Sequence, residues 1–517
     1  MIDLWIFRTI HLTLQTIFCK YFLKMNKLKS FCLGLALATA MTAGAGGILT
    51  NTNQNIHFLR NPARDAAIAI DAVYTNPAGV VFLDSGFHIS FNLQNAHQTR
   101  TITSTNPFFA LGKKNNGNDT KVFKGDADAP IIPSIQAAYN TGKWSFQFNF
   151  AITGGGGKCE FPNGLGSFES VVGGIASQLS PLGVTGYDVD GYMQGRQYYY
   201  GFQVGAAYKI NDHWSVYGGA RLLYGSASYK AKLDNIQVNT TNGFVPFDKF
   251  VDNTNTTLDN GISQVQAGIA QYEAMGLPVP AELVQKLAML QATQKSIEQL
   301  EPYKNGVNLM SDQTGWGIAP VIGVDYKTGN FNFAAKYEFK TRMRMENKST
   351  VKEASVIDAV NKFRDGSSVE EDTPALLTLG AEWSVSPTVR VSAGYHHFFD
   401  KDAHWYKHSE KLLDGGTNEY LCGAEWDVNK RLQISGGLQF TRYQLTDDYM
   451  NDMSFVVNSY TFGFGFGYRV SEKVNINLAY FQTNYTDYDR VTSVEPRVSD
   501  SFTRTNRVLG LGVDLKF

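Results

Sequence analysis

From residue 86 onward, bulky apolar side chains fall on alternate positions through most of the chain. Between Tyr460 and Val470 the even positions are Tyr460, Phe462, Phe464, Phe466, Tyr468 and Val470. The odd positions are Thr461, Gly463, Gly465, Gly467 and Arg469. The same period runs through 197–210, where Tyr198, Tyr200, Phe202, Val204 and Tyr208 share one face. It also runs through the final stretch, where Leu509, Leu511, Val513, Leu515 and Phe517 alternate with Gly510, Gly512, Asp514 and Lys516. A period of two over such lengths specifies β-strand. Glycine weakens a strand interior, so rows of glycine opposite rows of aromatics need a reason.

Fourteen segments carry this period: 86–103, 131–141, 143–153, 197–210, 213–233, 313–327, 330–347, 372–385, 388–400, 416–428, 431–446, 453–470, 473–488 and 500–517. Their connections alternate strictly between tight and long. The tight ones lie at Thr141-Gly142, Asn211-Asp212, Thr328-Gly329, Ser386-Pro387, Asn429-Lys430 and Ser471-Glu472. That alternation puts every tight turn at one end of an antiparallel sheet and every long loop at the other, the construction of outer-membrane barrels. The expected fold is an all-β, 14-stranded antiparallel transmembrane β-barrel, with lipid on the aromatic face and the glycine rows leaving room in the lumen. An aromatic precedes each tight turn, namely Tyr139, Tyr208, Tyr326, Trp383, Trp426 and Tyr468. Tyr and Trp favour the headgroup level of a bilayer. Residues 379–395 and 422–438 align as a repeated hairpin, with Trp383 on Trp426.

Composition fits this picture. There are 49 glycines, 34 phenylalanines and 26 tyrosines against 15 prolines in 517 residues, and the body of the chain has no run of the ~18 apolar residues that a membrane helix needs. The segment beginning at Met25 has the grammar of a secretory signal: Lys27 and Lys29, an apolar run from Phe31, then Ala43-Gly44-Ala45. Residues 1–45 are therefore expected to be a leader, with 1–24 a mis-set start and 25–45 the signal peptide. Without it the net charge is near -5, which excludes the basic excess of a nucleic-acid binder. Cys159 and Cys422 remain, too few for a disulfide framework.

Residues 46–85 do not alternate. They hold a helix-like patch from Ala63 to Val73 and a turn containing Asn76-Pro77-Ala78. With the strand count and the terminal Phe517, this stretch resembles the FadL/TodX family of outer-membrane transporters for hydrophobic compounds. The resemblance spans the whole mature chain. It implies an N-terminal hatch inside the lumen (46–85) carrying the Asn76-Pro77-Ala78 motif, and a barrel over 86–517. It also implies helical extracellular insertions at about 234–312 and 348–371. The function implied is uptake of long-chain fatty acids or similar molecules by lateral diffusion, through a wall gap in the third strand. The family pattern places that gap in 143–157, yet 143–153 contains no glycine or proline to bend the strand. The implied setting is the cell outer membrane and its lipid, with assembly-machinery contact through the last strand and a monomeric state.

In the long loop, 261–300 reads as two amphipathic helices broken at Gly276-Leu277-Pro278. Ile262, Val265 and Ile269 line one, and Leu283, Leu287 and Leu290 the other; such faces must be buried or bind something apolar. Residues 351–363 suggest a further helix. Strand parity points Arg221, Lys336 and Arg390 into the lumen, where each could hold a carboxylate ligand or pair with an acid such as Glu338, Glu382 or Glu425. His396, His397, His404 and His408 form a cluster in which His404 and His408 have helical spacing, a pattern open to metal or haem; a solvated loop is the alternative. No hydrolase or phosphate-loop signature occurs, so neither catalysis nor a cofactor is expected. The competing function is a surface receptor or adhesin, haem-capturing or not, whose barrel only anchors its loops.

Overall fold

The computed structural model describes residues 48–350, 361–492 and 495–517. The leader assigned to 1–45 and most of the helix expected at 351–363 lie outside the described residues. Fourteen strands close on themselves. They are β1 (Gly86–Thr105), β2 (Thr120–Thr141), β3 (Trp144–Phe161), β4 (Gly186–Lys209), β5 (Trp214–Thr240), β6 (Val307–Thr328) and β7 (Phe331–Glu338, resumed at Arg344–Ser349). After these come β8 (Ser368–Glu370, resumed at Leu376–Ser386), β9 (Val389–Phe398), β10 (Thr417–Asp427) and β11 (Leu432–Arg442). The last three are β12 (Ser459–Ser471), β13 (Val474–Tyr485, extended by Tyr488–Val491) and β14 (Ser499–Lys516). Each strand pairs antiparallel with its neighbour, and β1 pairs with β14 from His88↔Lys516 to Thr105↔Ser499. Closure leaves no unpaired edge, which a sheet in hydrocarbon requires.

The side chains sort as period two demands. Phe464 is 53% exposed and Phe466 40%, whereas Thr461, Gly463 and Gly467 face inward and are buried. The aromatics at the turn end form a band through direct cross-strand pairs. Trp144 meets Tyr208 with ring centroids 4.7 Å apart, Trp214 meets Tyr326 at 4.4 Å, and Phe331 stacks on Trp383 at 5.9 Å. β9, β10 and β11 have ten or eleven residues, about one bilayer crossing for a tilted strand. β4 and β5, with 24 and 27 residues, continue well past it.

Among the described residues, five α-helices accompany the barrel: α1 (Ile56–Arg60), α2 (Ala72–Thr75), α3 (Gly166–Gln178), α4 (Phe247–Ala274) and α5 (Ala281–Glu298). Residues 48–82 lie inside the barrel near the turn end and are almost entirely buried. At the loop end, α3, the base of α4 and the in-turned residues 443–457 build one large apolar core. Several strand boundaries differ from the alternation pattern, among them the start of β4 at Gly186, the end of β5 at Thr240 and the start of β6 at Val307. β2 and β3 extend to 120 and 161, because prolines 130 and 133 and the glycines at 154–157 interrupt the period without ending the strands. β12 starts at Ser459, because Met453, Phe455, Val456 and Val457 turn into the mouth of the barrel and are buried there. The patch from Ala63 to Val73 is not one helix: Pro62 follows α1, and the stretch up to Asp71 is held by side-chain bonds to the wall instead.

Candidate functional site

The N-terminal segment is fastened to the wall residue by residue. Asn76 closes an Asx turn by accepting the Gly79 N–H at 3.2 Å, and its amide donates to Asp325 of β6 at 2.6 Å. The Pro77 carbonyl accepts from Gln147 of β3 at 2.7 Å, and the Ala78 carbonyl accepts from Ser215 of β5 at 2.7 Å. All three residues of the motif are therefore anchor points. Earlier in the segment, Asn55 donates to Gln136 of β2 at 2.7 Å and Ile56 N–H to Asn92 of β1 at 3.2 Å.

Between β2 and β3 the ladder breaks. Pairing runs from Thr141↔Trp144 to Ile135↔Phe150 and resumes at Asp128↔Lys158; 129–134 and 151–157 have no register with each other. Pro130 and Pro133 offer no N–H on the β2 side. On β3, Gly155 and Gly157 have φ of +72° and +113°, a region that costs a side chain dearly. A Cβ at Gly155 would stand 2.1 Å from the Gln197 carbonyl of β4, and one at Gly154 2.3 Å from the Leu49 carbonyl. The freed groups of β3 are taken up from inside. Thr153 O accepts the Asn51 N–H at 2.8 Å, Gly155 O accepts the Asn51 amide at 2.7 Å, and Ile152 O accepts the Gln54 amide at 3.2 Å. Ser134 of β2 donates to the Gln54 carbonyl. The polar run from Thr50 to Asn55 thus stands in for the missing half of a ladder.

Each cation singled out by parity points inward and meets an acid. Arg221 is paired with Glu338 and donates to Gln203 at 2.6 Å. Lys336 donates to Glu338 and to the Tyr74 carbonyl, both at 2.7 Å. Both cations lie over the Tyr74 ring, at 5.0 and 4.5 Å, so β5 and β7 clamp α2 between them. Arg390 binds Asp427 through two bonds of 2.8 and 3.1 Å and reaches Glu425 at 3.3 Å. Glu425 also accepts from Arg64 at 2.7 Å, and Arg64 bridges Asp71 at 2.8 and 3.0 Å. Burial works against the Arg64 charge, but Asp71 and Glu425 outweigh it and hold the guanidinium above its ordinary range. Beside Tyr74 a cavity is lined by Thr50, Thr153, Arg221, Glu338, Phe339 and Leu376, among others. Arg221 Nε finds no acceptor among the described residues.

Comparison with solved structures shows what this architecture is similar to. The crystal structure of a Pseudomonas aeruginosa FadL homologue superposes with a TM-score of 0.57 at 11% identity, over 91% of this chain and 100% of that one. A monoaromatic hydrocarbon channel, the TodX deltaS2S3 mutant, gives 0.51 at 14% identity, over 90% and 99%. The fold is that of the FadL-type barrels. No protein-family model matches the sequence, and no curated protein matches it.

In this FadL-type barrel the apolar loop residues are largely spent on one another. α4 and α5 form a hairpin broken at 275–280. Val265 is buried, while Ile262, Ile269, Leu283, Leu287 and Leu290 are half-buried. A Cβ at Gly261 would touch Leu290 at 3.4 Å, so these side chains pack in the seam between the helices more than they form an open surface. α4 also begins fourteen residues before the predicted start. Its first turns are rich in Asn, Asp and Thr, poor helix formers, although Phe247, Val251, Leu258 and Val265 fall on one face and are buried. α3 escaped the sequence reading because of Gly173 and Gly174, yet Phe168, Val172, Ile175 and Ala176 carried its signal.

The histidines do not form one site. His396 is buried between Glu419 at 2.8 Å and Asp65 of the N-terminal segment at 2.9 Å. His397 Nδ1 donates to Asn418 Oδ1 on the other face at 2.9 Å. His404 and His408 have ring centroids 6.2 Å apart. The backbone at Lys407 and His408 is left-handed, with φ of 54° and 56°, so the helical spacing is not realised. No group of three metal-ligating side chains occurs among the described residues.

Proposed function

We propose that this chain is an outer-membrane channel for uptake of long-chain fatty acids or other hydrophobic small molecules. In this reading residues 48–83 are its hatch, and the β2–β3 break is its lateral exit. The observation that carries the reading is that break, where unpaired strand backbone is bonded by the hatch and not by its neighbour strand. Broken ladders are costly in hydrocarbon, so a wall that keeps one, backed by a cavity, has a use for it. A solute that is poorly soluble in water moves from the cavity into the bilayer without crossing the aqueous periplasm. The two structural neighbours, a FadL homologue and a hydrocarbon channel, point the same way.

Arg221 lines the cavity with a donor to spare and is the residue best placed to meet a ligand carboxylate. Lys336 and Arg390 serve in this reading to hold the hatch, one through Tyr74 and the other through the Glu425 network. The α4–α5 hairpin shapes the outer approach. The test is uptake by liposomes containing the full barrel. Labelled oleate is expected to enter while a small sugar does not, and passage of sugar without oleate would overturn the proposal in favour of an open pore.

A further inference from the structure

The barrel wall has a second break with the geometry of the first. Val321 pairs with Glu338, and Thr314 with Glu346. Between these pairs, six residues of β6 (315–320) face seven of β7 (339–345) without register. The β2–β3 break likewise sets six residues against seven. Pro320 stands at its margin as Pro130 and Pro133 stand in the other, each removing a ladder donor. A single bond, from Phe339 N–H to the Pro320 carbonyl at 3.1 Å, crosses its turn-side edge. Glycine again provides the room. A Cβ at Gly315 would lie 2.4 Å from the Arg344 carbonyl, and one at Gly317 2.6 Å from the Arg342 carbonyl. β7 is therefore drawn across the lumen face of β6, and β8 follows it, interrupted between Glu370 and Leu376 and joined to β7 there by the isolated Thr341–Thr373 bridge.

The cavity described above reaches from one break to the other, with Thr153 on the β3 side and Phe339 and Thr341 on the β7 side. Phe339 meets both compartments: it is one of the residues lining the cavity, yet it is 42% exposed, with its ring edge-on to Tyr337 at 4.8 Å. Ile318, across the break on β6, is 65% exposed. Met343 and Met345 are buried on the lumen side, and thioether side chains repack readily.

We propose that the β6–β7 break is a second lateral window, gated by Phe339, through which the cavity exchanges an apolar ligand with the bilayer. The ligand class is a long alkyl chain or an aromatic hydrocarbon, and the proposal rests on the transport reading given above. Liposomes containing the full barrel and labelled oleate test it. Phe339→Arg puts a charge in the window and is expected to lower uptake about tenfold, whereas Phe333→Arg, on the same outward face where the ladder is intact, changes it less than about twofold. Heat-modifiable gel mobility establishes that both variants are folded. Should Phe339→Arg not assemble, a diazirine fatty acid photolabels the unaltered barrel; labelling of Thr341 and Thr373 as well as Thr153 is expected, and labelling of Thr153 without the other two would overturn the window. Uptake that is indifferent to Phe339→Arg removes the second window alone. An unaltered barrel that takes up no oleate removes the transport reading, and the window with it.

Discussion

Gly423 of β10 faces Asn61 so closely that a Cβ built there would stand 1.9 Å from Asn61 Oδ1. The relation recurs around the lumen. A Cβ at Gly463 would lie 2.1 Å from the Leu59 carbonyl, one at Gly465 2.7 Å from Arg60 Cγ, and one at Gly510 2.5 Å from Ile56 Cδ1. The glycines between the aromatics are the groove in which the N-terminal segment lies. Gly423→Val is therefore expected to displace the N-terminal segment and raise single-channel conductance in planar bilayers. Gly218→Ala, with nothing within 4 Å of the new methyl, leaves conductance unchanged. A closed channel in the Gly423→Val protein would refute the groove.

Arg64 joins two buried acids: Asp71 of the N-terminal segment and Glu425 on β10, which Arg390 also reaches at 3.3 Å. Removing one partner of a buried ion pair strands the other and typically costs about 3–5 kcal/mol. Arg64→Met is expected to destabilise the folded barrel by that order in reversible urea unfolding into lipid vesicles. The double change Arg64→Met with Asp71→Leu recovers part of the loss, since one stranded charge is gone. Equal stability of the unaltered and Arg64→Met proteins would show that the network holds nothing together.

The barrel was legible because hydrocarbon imposes one rule on every strand, and a period of two records it locally. Tight turns are local as well, so all six fell where the sequence placed them. The breaks were not legible. Pro130 and the glycines at 154–157 read as strand ends, and only the register of the neighbouring strands reveals that the chain continues past them. Met453 to Val457 carry enough apolar residues to look like strand, and nothing local says that the mouth of the barrel is itself an apolar core. Among the cations, parity gave direction and a short list of acids, of which Glu338 and Glu425 are the ones met. Lys336 and Glu338 share a face two residues apart and could have been paired on paper, whereas Arg64 and Glu425 are 361 residues apart.

Gly155 sets the bend of β3. Its φ of +72° is strained for any side chain, by about 1–2 kcal/mol, and a methyl would meet the Gln197 carbonyl at 2.1 Å. Gly155→Ala is expected to shift β3 away from this bend and weaken the Asn51 bonds to Thr153 and Gly155. Under the proposed transport function oleate uptake should fall severalfold, and hydrogen exchange at 49–55 should quicken as the N-terminal segment loses its hold. Unchanged uptake together with unchanged exchange would mean that the bend plays no part in passage.

Asp400 lies fully buried where the chain leaves β9 for β10, with one carboxylate oxygen accepting the Thr417 N–H at 2.8 Å and its hydroxyl at 2.6 Å. Burial pushes its pKa from 3.8 up to about 7, against the partial opposition of the Thr417 bonds, and the charge of Glu419 adds to the rise. A carboxyl whose folded pKa is raised keeps its proton longer in the folded state, so the folded state binds more protons between the two values. Its stabilising contribution is then fully present below about pH 4 and is lost as pH climbs through about 7. Hydrogen exchange at 399–417 is expected to quicken between pH 5 and 8 beyond the intrinsic chemical rate, then level off. Asp400→Asn, which mimics the neutral acid, should remove that extra dependence. A loop equally protected at pH 5 and pH 8 in the unaltered protein would show that this carboxyl is not held neutral by its surroundings.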